Sequence, residues 1–290
     1  MSQNQSLTAP SQNKMTDVLQ KFTLFRFPMA NSFSPVIHRT FGQQFGLSIQ
    51  YTQTEVEPSA LKDAISRFRQ DGGTGANVTM PHKEEAFRLC EKITEKAACA
   101  QSVNTLFWQD DVLWGDTTDG GGFITDITQN LQLSFRNKTV CILGAGGAAS
   151  GVLGAILQEQ PKAVSIYNRN TKRAIALQAR FKNAPIDVVQ LEELNSVATA
   201  PDWIINTTPF SATQMLVPLK PHLMQNTLVY ELAYPKEGEL SLFSRWALEN
   251  GAKGAFDGLG MLVEQAALSF SIWQKGLFPA THSVIKTLRG

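Results

Sequence analysis

The pattern of apolar and polar positions in the second half of the chain predicts buried strands that alternate with helices. Short apolar runs bounded by polar or glycine residues indicate strands, and the stretches between them are long enough to form helices. Five strands are expected, at 139–143, 164–167, 187–189, 203–206 and 227–231. Strands that alternate with helices in this way are typical of a doubly wound α/β fold.

The first half of the chain carries strand and helix signals of its own. Strands are expected over 22–27 and 47–51, and amphipathic helices over 36–45 and 60–70. A glycine-rich approach at 72–75 then leads to a short strand and to a helix with Pro81 in its first turn. This half is therefore predicted to be a second α/β unit, without a dinucleotide fingerprint.

The remaining helical signals connect the two halves. Residues 123–133 predict a helix that carries the chain from one domain to the next, and the apolar pattern after Gly260 predicts a buried helix through Trp273. A last helical piece is expected over 284–288. We expect these C-terminal helices to return to the junction between the domains, which would bring Gln265 to a cleft there.

Length and composition set limits on this organisation. A chain of 290 residues suggests two domains, predicted here as 21–120 together with 257–290, and 121–256. Residues 1–20 are rich in Gln, Ser and Asn, which predicts a disordered tail.

The charge balance and the apolar runs bear on partners and location. The net charge is +1 and no apolar run approaches the roughly twenty residues that span a bilayer, so neither a nucleic-acid nor a membrane partner is expected. The three cysteines form no CxxC pair, the four histidines lack ligand spacing, and the N-terminus has no secretory signal. We expect a cytoplasmic protein without a metal, as a monomer or a homodimer.

The glycine-rich loop that follows the strand at 139–143 is the strongest motif. Gly144 would allow a tight turn, and Gly146 would let the backbone approach a pyrophosphate. The helix that follows would direct its N-terminal amides and its positive dipole end at that phosphate. The loop therefore predicts a dinucleotide site.

The end of the next strand indicates which dinucleotide is bound. A residue that reads the ribose is expected about twenty residues after the glycine loop, and an acidic residue there would favour NAD. This chain has Asn168 and Arg169, with Lys172 and Arg173 close behind and no carboxylate. A cationic cluster suits a 2′-phosphate, so NADP is favoured; the alternative is a surface arginine on an NAD-binding fold.

Two charged residues are the candidates for acid–base chemistry. Lys83 lies at a predicted helix start directly after a strand, where the positive helix end would favour loss of its proton. Asp119, in a glycine-dense turn just before the predicted helix between the domains, could hold and polarise that lysine. The alternatives are an exposed surface lysine and an aspartate that only caps a helix.

Polar residues elsewhere indicate a pocket that binds hydroxyl or carboxylate groups. Ser32 and Ser34 flank Phe33 in one turn, although an ST-turn that only caps the following helix is the favoured interpretation from these residues alone. Asn104 ends a strand-like run and could donate its amide to a ligand.

Taken together, seven separated motifs resemble the shikimate dehydrogenase family. They occur in the family's order and cover nearly all of the chain from Phe22 to Leu288. The motifs are Ser32-x-Ser34-Pro35, Asn77-Val78-Thr79-x-Pro81-x-Lys83, Val103-Asn104-Thr105, Thr118-Asp119-Gly120, Gly144–Ala149, Asn168-Arg169, and Asp257-Gly258-Leu259-Gly260-Met261-Leu262-x-x-Gln265.

The resemblance implies a fold, an activity and a set of site residues. The fold is an N-terminal α/β substrate domain, a Rossmann-like NADP domain and C-terminal helices that return to the first domain. The activity is the NADPH-dependent reduction of 3-dehydroshikimate to shikimate in aromatic amino-acid biosynthesis, with Lys83 and Asp119 as the catalytic pair. The implied substrate residues are Ser32, Ser34, Thr79, Asn104, Tyr234 and Gln265. The implied cofactor residues are Gly144, Ala145, Gly146, Gly147, Ala148, Asn168, Arg169, Arg173, Leu232 and Gly258.

The chain also departs from the family pattern at several positions. Arg26-Phe27-Pro28 stands where Gly-x-Pro is usual, and Asn31 stands where histidine is usual. The other departures are Thr117 before Thr118-Asp119, Phe210-Ser211 after Asn206-Thr207-Thr208-Pro209, and Glu231 in place of aspartate. Two alternatives stay open: a quinate or shikimate dehydrogenase with a relaxed choice of cofactor or substrate, and a non-catalytic sensor that binds NADP and shikimate.

Overall fold

The structure is a computed structural model that describes residues 18–208, 219–234 and 239–290. Most of the predicted N-terminal tail lies outside these residues, as do Pro209, Phe210 and Ser211. Gln20, which the sequence placed in the tail, already belongs to the first strand.

The first half of the chain forms a mixed six-stranded sheet in the order β2-β1-β3-β5-β6-β4. β1 pairs in parallel with β2 and β3, whereas β5 runs antiparallel to both β3 and β6. The strands are β1 (Gln20–Arg26), β2 (Ile49–Glu55), β3 (Gly73–Val78), β4 (Lys92–Ile93), β5 (Thr105–Gln109) and β6 (Val112–Asp116).

The second half forms a six-stranded sheet in which all neighbouring strands are parallel. The order is β12-β11-β10-β7-β8-β9, which is the arrangement of a dinucleotide-binding doubly wound fold with its strand reversal between β7 and β10. The strands are β7 (Thr139–Leu143), β8 (Ala163–Asn168), β9 (Ile186–Gln190), β10 (Trp203–Asn206), β11 (Leu228–Glu231) and β12 (Gly254–Asp257).

Helices cover the two sheets and join them. Those before the second sheet are α1 (Ser34–Gln44), α2 (Leu61–Gln70), α3 (Lys83–Leu89), α4 (Glu95–Ala100) and α5 (Asp119–Thr125). The later ones are α6 (Gly147–Gln158), α7 (Thr171–Gln178), α8 (Leu242–Glu249), α9 (Leu259–Trp273) and α10 (His282–Arg289). Short π and 3₁₀ segments lie at Asp126–Asn130, Leu191–Ser196 and Pro221–Met224.

The sequence pattern predicted most of these elements. All five predicted strands of the second sheet are confirmed, two of them with the expected bounds. Those two, β7 and β10, are buried almost throughout, so their sequences are mostly apolar. Helices α1, α2, α9 and α10 are confirmed within about two residues, which is the usual uncertainty of helix ends. The predicted return of the C-terminal helices is confirmed as well, since α9 packs against α1 and α5.

Four local predictions were wrong. Pro81 lies before α3 and not in its first turn, because the helix has His82 as its N-cap and begins at Lys83. Asn104 precedes β5 and does not end a strand. The glycines at 73 and 75 belong to β3 itself. In addition, the strand β12 was missed, because its sequence Gly254-Ala255-Phe256-Asp257 contains no run of apolar residues.

The fourth wrong prediction is the glycine-dense segment near Asp119, which is the first turn of α5 and not a loop before a helix. An added Cβ at Gly122 would lie 2.4 Å from the backbone of α9, and one at Gly120 would lie 2.8 Å from the backbone of α6. These glycines therefore let three helices approach closely. The local sequence pattern does not show that this packing requires glycine. The boundary predicted between residues 120 and 121 falls inside α5.

No helix within the described residues is both long and apolar enough to cross a membrane. Two apolar clusters lie on the second sheet, and three involve the first sheet, α1 and the C-terminal helices. Since α5 and α9 pack on one another, the two sheets are held along one side while a cleft lies between them.

Candidate active site

A cleft of about 280 Å³ lies where the two sheets meet. Strand β1, the turn before α1, strand β3, helix α5 and helix α9 contribute to its walls, and so does the N-terminal part of α6. The lining residues are Leu24, Arg26, Asn31, Ser32, Ser34, Asn77, Val78, Thr79, Lys83, Asn104, Asp119, Ala148, Leu232, Tyr234, Gly258, Met261, Leu262 and Gln265.

Lys83 and Asp119 form an ion pair in this cleft. The Lys83 Nζ donates to the Asp119 Oδ2 over 2.7 Å, and the two side chains are 17% and 7% exposed. Both residues are the first residues of their helices, α3 and α5, so the fold fixes the backbone of each. Neither alternative interpretation of the pair holds: the lysine is not on the open surface, and the N-cap of α5 is Thr118, with no side-chain cap from Asp119.

The second oxygen of Asp119 is held from the first sheet. The Asn104 Nδ2 donates to the Asp119 Oδ1 over 2.9 Å and reaches the Gln265 Oε1 at 3.1 Å. The Asn104 Oδ1 accepts from the backbone N–H of Thr118, which fixes the orientation of the amide. With both oxygens bonded, the Asp119 carboxylate stays in position beside the Lys83 ammonium. We call Lys83, Asp119, Asn104 and Gln265 the lysine group.

Asn77 and Tyr51 connect this group to the turn before α1. The Tyr51 hydroxyl donates to the Asn77 Oδ1 over 2.7 Å, and the Asn77 Nδ2 donates to the backbone carbonyl of Asn104 over 3.1 Å. Burial raises the pKa of Tyr51, and a hydrogen bond with Ser34 opposes that shift. His38 stacks on the Tyr51 ring, and its own burial lowers its pKa to about 3, so that the imidazole is neutral.

A second polar cluster consists of hydroxyl groups and one guanidinium. The Ser32 Oγ donates to the Ser34 Oγ over 3.1 Å and accepts from the Ser34 backbone N–H. The ST-turn is therefore present, but the N-cap of α1 is Phe33 with no side-chain cap, and both hydroxyls line the cleft. The interpretation of a turn that only caps the helix was wrong. Burial raises the pKa of Tyr234, while a hydrogen bond with Ser32 and the positive charge of Arg26 oppose that shift. We call Arg26, Ser32, Ser34 and Tyr234 the arginine group.

The predicted glycine loop connects β7 to α6. Gly144 has φ of +105°, and an added Cβ there would lie 2.6 Å from the Thr207 Oγ1, so the tight turn requires glycine. Gly146 is the N-cap of α6, and a Cβ there would meet no atom within 4 Å. At Gly147 the nearest atom to an added Cβ is the Lys83 Cβ at 3.8 Å. The start of α6 thus faces Lys83 directly.

The predicted ribose-reading residues lie at the carboxyl end of β8 and in the first turn of α7, outside the cleft. Arg169 is exposed, and Asn168 donates to the backbone carbonyl of Asn170. Arg173 forms an ion pair with Glu84 of α3 at 2.8 Å. At the cleft, Leu232 and Gly258 touch closely: a Cβ at Gly258 would lie 2.1 Å from the Leu232 carbonyl.

The structure brings most of the predicted site residues to one cleft. Its lining includes Lys83, Asp119, Ser32, Ser34, Thr79, Asn104, Tyr234, Gln265, Ala148, Leu232 and Gly258. The predicted residues that do not line it are Gly144, Ala145, Gly146, Gly147, Asn168, Arg169 and Arg173.

Among the polar residues that line the cleft, sequence reasoning gave no binding role to Arg26, Asn31 or Asn77. The signal for Asn77 was a polar side chain inside the buried run Ala76-Asn77-Val78, and the signal for Arg26 was its departure from the pattern before the serine turn. In the part of the chain that the structure describes, no cluster of His, Cys, Asp or Glu has the make-up of a metal site.

Two family models match the chain in sequence order. The shikimate dehydrogenase substrate binding domain matches residues 24–106, and the shikimate / quinate 5-dehydrogenase model matches residues 126–237. A shikimate dehydrogenase (NADP(+)) of Alcanivorax borkumensis is 40% identical over 269 residues, which cover 92% of this chain and 96% of the relative.

Solved structures show the same similarity in three dimensions. An Ael1 enzyme from Pseudomonas putida is 35% identical with a TM-score of 0.84, over 93% of this chain and 98% of that chain. A shikimate 5-dehydrogenase from Thermus thermophilus, in complex with NADP(H) and shikimate, is 27% identical with a TM-score of 0.79, again over 93% and 98%. This chain therefore belongs to the shikimate dehydrogenase family.

Proposed function

We propose that this protein catalyses the reversible, NADP-dependent interconversion of 3-dehydroshikimate and shikimate, as the names of its relatives indicate. The observation that carries the proposal is the Lys83–Asp119 ion pair, which lies in the cleft opposite the start of α6. A ketone reductase needs a proton donor beside a dinucleotide site, and this arrangement supplies one.

The residues of the lysine group supply and position the proton. In the direction of reduction, the Lys83 ammonium gives its proton to the ketone oxygen, which becomes the new hydroxyl, and in the reverse direction the lysine amine accepts it. Asp119 keeps the ammonium in place through the 2.7 Å contact. Asn104 fixes Asp119 from the other side, Gln265 accepts from Asn104, and both amides would face a ring hydroxyl of the substrate.

The glycine loop and the end of β8 have the features that a dinucleotide needs. The open space at Gly146 and the free amides at the start of α6, a helix of twelve residues, suit a pyrophosphate. Asn168, Arg169 and Arg173 would hold the ribose and its 2′-phosphate, and Leu232, Gly258 and Ala148 would lie against the nicotinamide. When bound, NADPH supplies the hydride that is added to the carbonyl carbon.

We also propose that the two domains suggested by the sequence bind different ligands. Residues 21–120 with 257–290 would bind the substrate through Ser32, Ser34 and Thr79, and residues 121–256 would bind the coenzyme and contribute Tyr234 to the substrate pocket. A cytoplasmic location and a monomer or homodimer complete the proposal.

A spectrophotometric assay tests it directly. Purified protein with shikimate and NADP should produce NADPH, and kcat/KM with NAD should be at least about tenfold lower, since a 2′-phosphate contact to arginine is worth about 1.5–3 kcal/mol. Oxidation of quinate but not shikimate would replace the substrate in the proposal. Tight binding of both ligands without any turnover would instead indicate a sensor.

A further inference from the structure

Arg26 is the one charged residue of the cleft lining that has no oppositely charged partner among the described residues. The lining contains three charged side chains, Arg26, Lys83 and Asp119. Lys83 and Asp119 neutralise each other at 2.7 Å. Within residues 18–208, 219–234 and 239–290 no carboxylate forms an ion pair with Arg26. The side chains that line the cleft therefore carry one net positive charge, on Arg26. Glu55, the register partner of Arg26 on β2, accepts from the Met29 backbone N–H and forms no ion pair with Arg26.

The position of Arg26 is fixed by the fold. It is the last residue of β1, and its Nε donates to the backbone carbonyl of Pro28 over 3.2 Å, so that the side chain lies along the turn that leads to Ser32. Its positive charge acts on the Tyr234 hydroxyl, which is itself bonded to Ser32. Arg26 thus adds a cation to a cluster of three hydroxyls.

We propose that Arg26 determines substrate specificity by binding the carboxylate of the substrate, together with the hydroxyls of Ser32 and Ser34. The inference rests on the proposed function, because shikimate and 3-dehydroshikimate each carry one carboxylate. A guanidinium offers several N–H donors in a plane that matches a carboxylate, and such charge-assisted bonds are the strong ones. Lys83 does not serve this purpose because Asp119 already compensates its charge.

Substrate binding and proton transfer would then depend on different residues. The arginine group and the lysine group are connected through Tyr51 and Asn77, so the carboxylate and the reacting carbon are held by different residues. A contact that is equally strong in the ground state and in the transition state changes KM and leaves kcat nearly constant. The family pattern has glycine at this position, and glycine offers no side-chain donor.

The test compares shikimate with its methyl ester, which has the same ring and no negative charge. Binding by calorimetry and kcat/KM are measured for the wild type, Arg26→Gln and Arg26→Lys. In Arg26→Gln the preference for the acid over the ester should fall about 10- to 100-fold, since a hydrogen bond to a charged group is worth about 1.5–3 kcal/mol. Arg26→Lys should recover part of that preference, because a lysine keeps the charge but not the planar donors.

Arg39→Gln is the matched control. Arg39 also donates its Nε to a proline carbonyl, that of Pro35 at 3.2 Å, but it is exposed and does not line the cleft. Its removal should leave the acid-to-ester preference unchanged. Thermal melting shows whether each variant is folded.

Three results would overturn the inference: equal losses for acid and ester in Arg26→Gln, an unchanged Kd for shikimate in that variant, or the same loss in Arg39→Gln. The wild-type protein reports on the proposed function separately. If it binds shikimate without turnover, the activity is wrong while the Kd of Arg26→Gln still decides the role of Arg26. If it does not bind shikimate at all, both proposals are wrong.

Discussion

The ion pair between Lys83 and Asp119 joins two side chains that are 36 positions apart in the chain. Each begins a helix, α3 or α5, and each follows the end of a strand of the first sheet. A helix start after a strand places a side chain at the sheet edge with a fixed backbone, which is how two distant residues meet within 2.7 Å. The proton donor is thus positioned by the sheet and not by a loop.

Replacing Lys83 with alanine should lower kcat about 10²- to 10⁴-fold, the usual contribution of a positioned acid or base. The Kd for shikimate should change less than about tenfold, because the arginine group and Asn104 still contact the ligand. Steady-state kinetics and calorimetry measure the two effects. Lys96→Ala is the control: Lys96 also pairs with an aspartate, Asp116 at 3.6 Å, but it is 66% exposed and outside the cleft. Near-normal kcat in Lys83→Ala would remove this lysine as the proton donor.

For single residues, the sequence identified the functional side chains better than it identified the contacts that these side chains make. Lys83 and Asp119 were recognisable from their place after strands and from the family motif. Asn104 was given a donor role but not its bond to Asp119, because that bond needs the register of β3, β5 and β6. Arg26 was noted only as a departure from the family pattern. The neighbours of a side chain at the end of a strand depend on how all the elements around the cleft pack together.

Among the elements, α5 shows most clearly where local pattern and fold disagree. Three consecutive glycines usually indicate a turn, because glycine costs about 1 kcal/mol in a helix. Here they lie at the start of a helix that packs between α6 and α9. Gly151 of α6 leaves room for the Asp119 side chain, because a Cβ added at Gly151 would lie 2.8 Å from the Asp119 Oδ2. The close approach of helices compensates the low helix propensity, and that gain arises only from tertiary contacts.

Alanine substitutions at two positions of the glycine loop before α6 should have different effects on stability. Gly146→Ala should leave the free energy of unfolding within about 1 kcal/mol, because the new methyl group meets no atom and φ is −89°. It should nevertheless weaken NADP binding, since the methyl group enters the space proposed for the pyrophosphate. Gly144→Ala should lose stability as well, by about 1–3 kcal/mol, because φ is +105° and the methyl group meets Thr207.

Urea unfolding and NADP titration of both variants measure these effects. If Gly146→Ala binds NADP as tightly as the wild type, the pyrophosphate does not lie over this residue. If Gly144→Ala is as stable as the wild type, the turn tolerates a side chain and the strain argument is wrong.

The π segment at Asp126–Asn130 holds a buried acid between the two halves. Burial is the main cause that raises the pKa of Asp126, and hydrogen bonds from Tyr230 and Asn130 and the charge of Arg289 oppose the shift. The Tyr230 hydroxyl donates to Asp126 Oδ2 over 2.6 Å, and Asn130 also donates to Glu264 at 3.1 Å. Asp257 adds a further negative charge that raises the pKa.

This raised pKa has a defined effect on stability. Between the unfolded pKa of 3.8 and the higher folded value, the native state binds more protons than the unfolded state, so the stabilisation from protonated Asp126 is lost as the pH rises. Asp126→Asn cannot titrate and keeps an oxygen for Tyr230. Its stability relative to the wild type should therefore increase with pH across that window, with a slope of at most about 1.4 kcal/mol per pH unit.

Urea unfolding between about pH 4 and about pH 8 measures that difference. A stability difference for Asp126→Asn that stays constant or falls with rising pH would contradict the assignment.

At the scale of the whole molecule, the two halves also touch through single side chains in the described part of the chain, and several of these contacts involve arginine. Arg180 of the second half donates to the carbonyl of Ala100 over 2.6 Å, and the Ser150 hydroxyl donates to the same carbonyl. Arg173 pairs with Glu84. The sequence predicted two α/β units and their order, because periodicity and motifs are local. It did not predict these contacts, which depend on how the two sheets face each other.

The pair between Arg173 and Glu84 gives the last prediction, because one of its members is also a proposed ligand of the 2′-phosphate. The two side chains are 53% and 44% exposed, so their pairing contributes no more than about 1 kcal/mol to stability and either change should leave the protein folded. Arg173→Gln should raise the Kd for NADP about 10- to 100-fold, as expected for a lost contact to a charged group. The Kd for NAD, which lacks this phosphate, should stay within about threefold.

Glu84→Gln should have the opposite effect, because the carboxylate of Glu84 competes with the phosphate for the same guanidinium. The Kd for NADP should fall about two- to fivefold, within the range for an exposed ion pair, and the Kd for NAD should not change. Asp111→Asn is the control, since Asp111 pairs with Arg69 at 2.9 Å in an exposed ion pair of the first sheet. If Arg173→Gln raises the Kd for NADP and the Kd for NAD equally, Arg173 does not contact the 2′-phosphate. If Glu84→Gln weakens NADP binding, the carboxylate orients the arginine and does not compete for it.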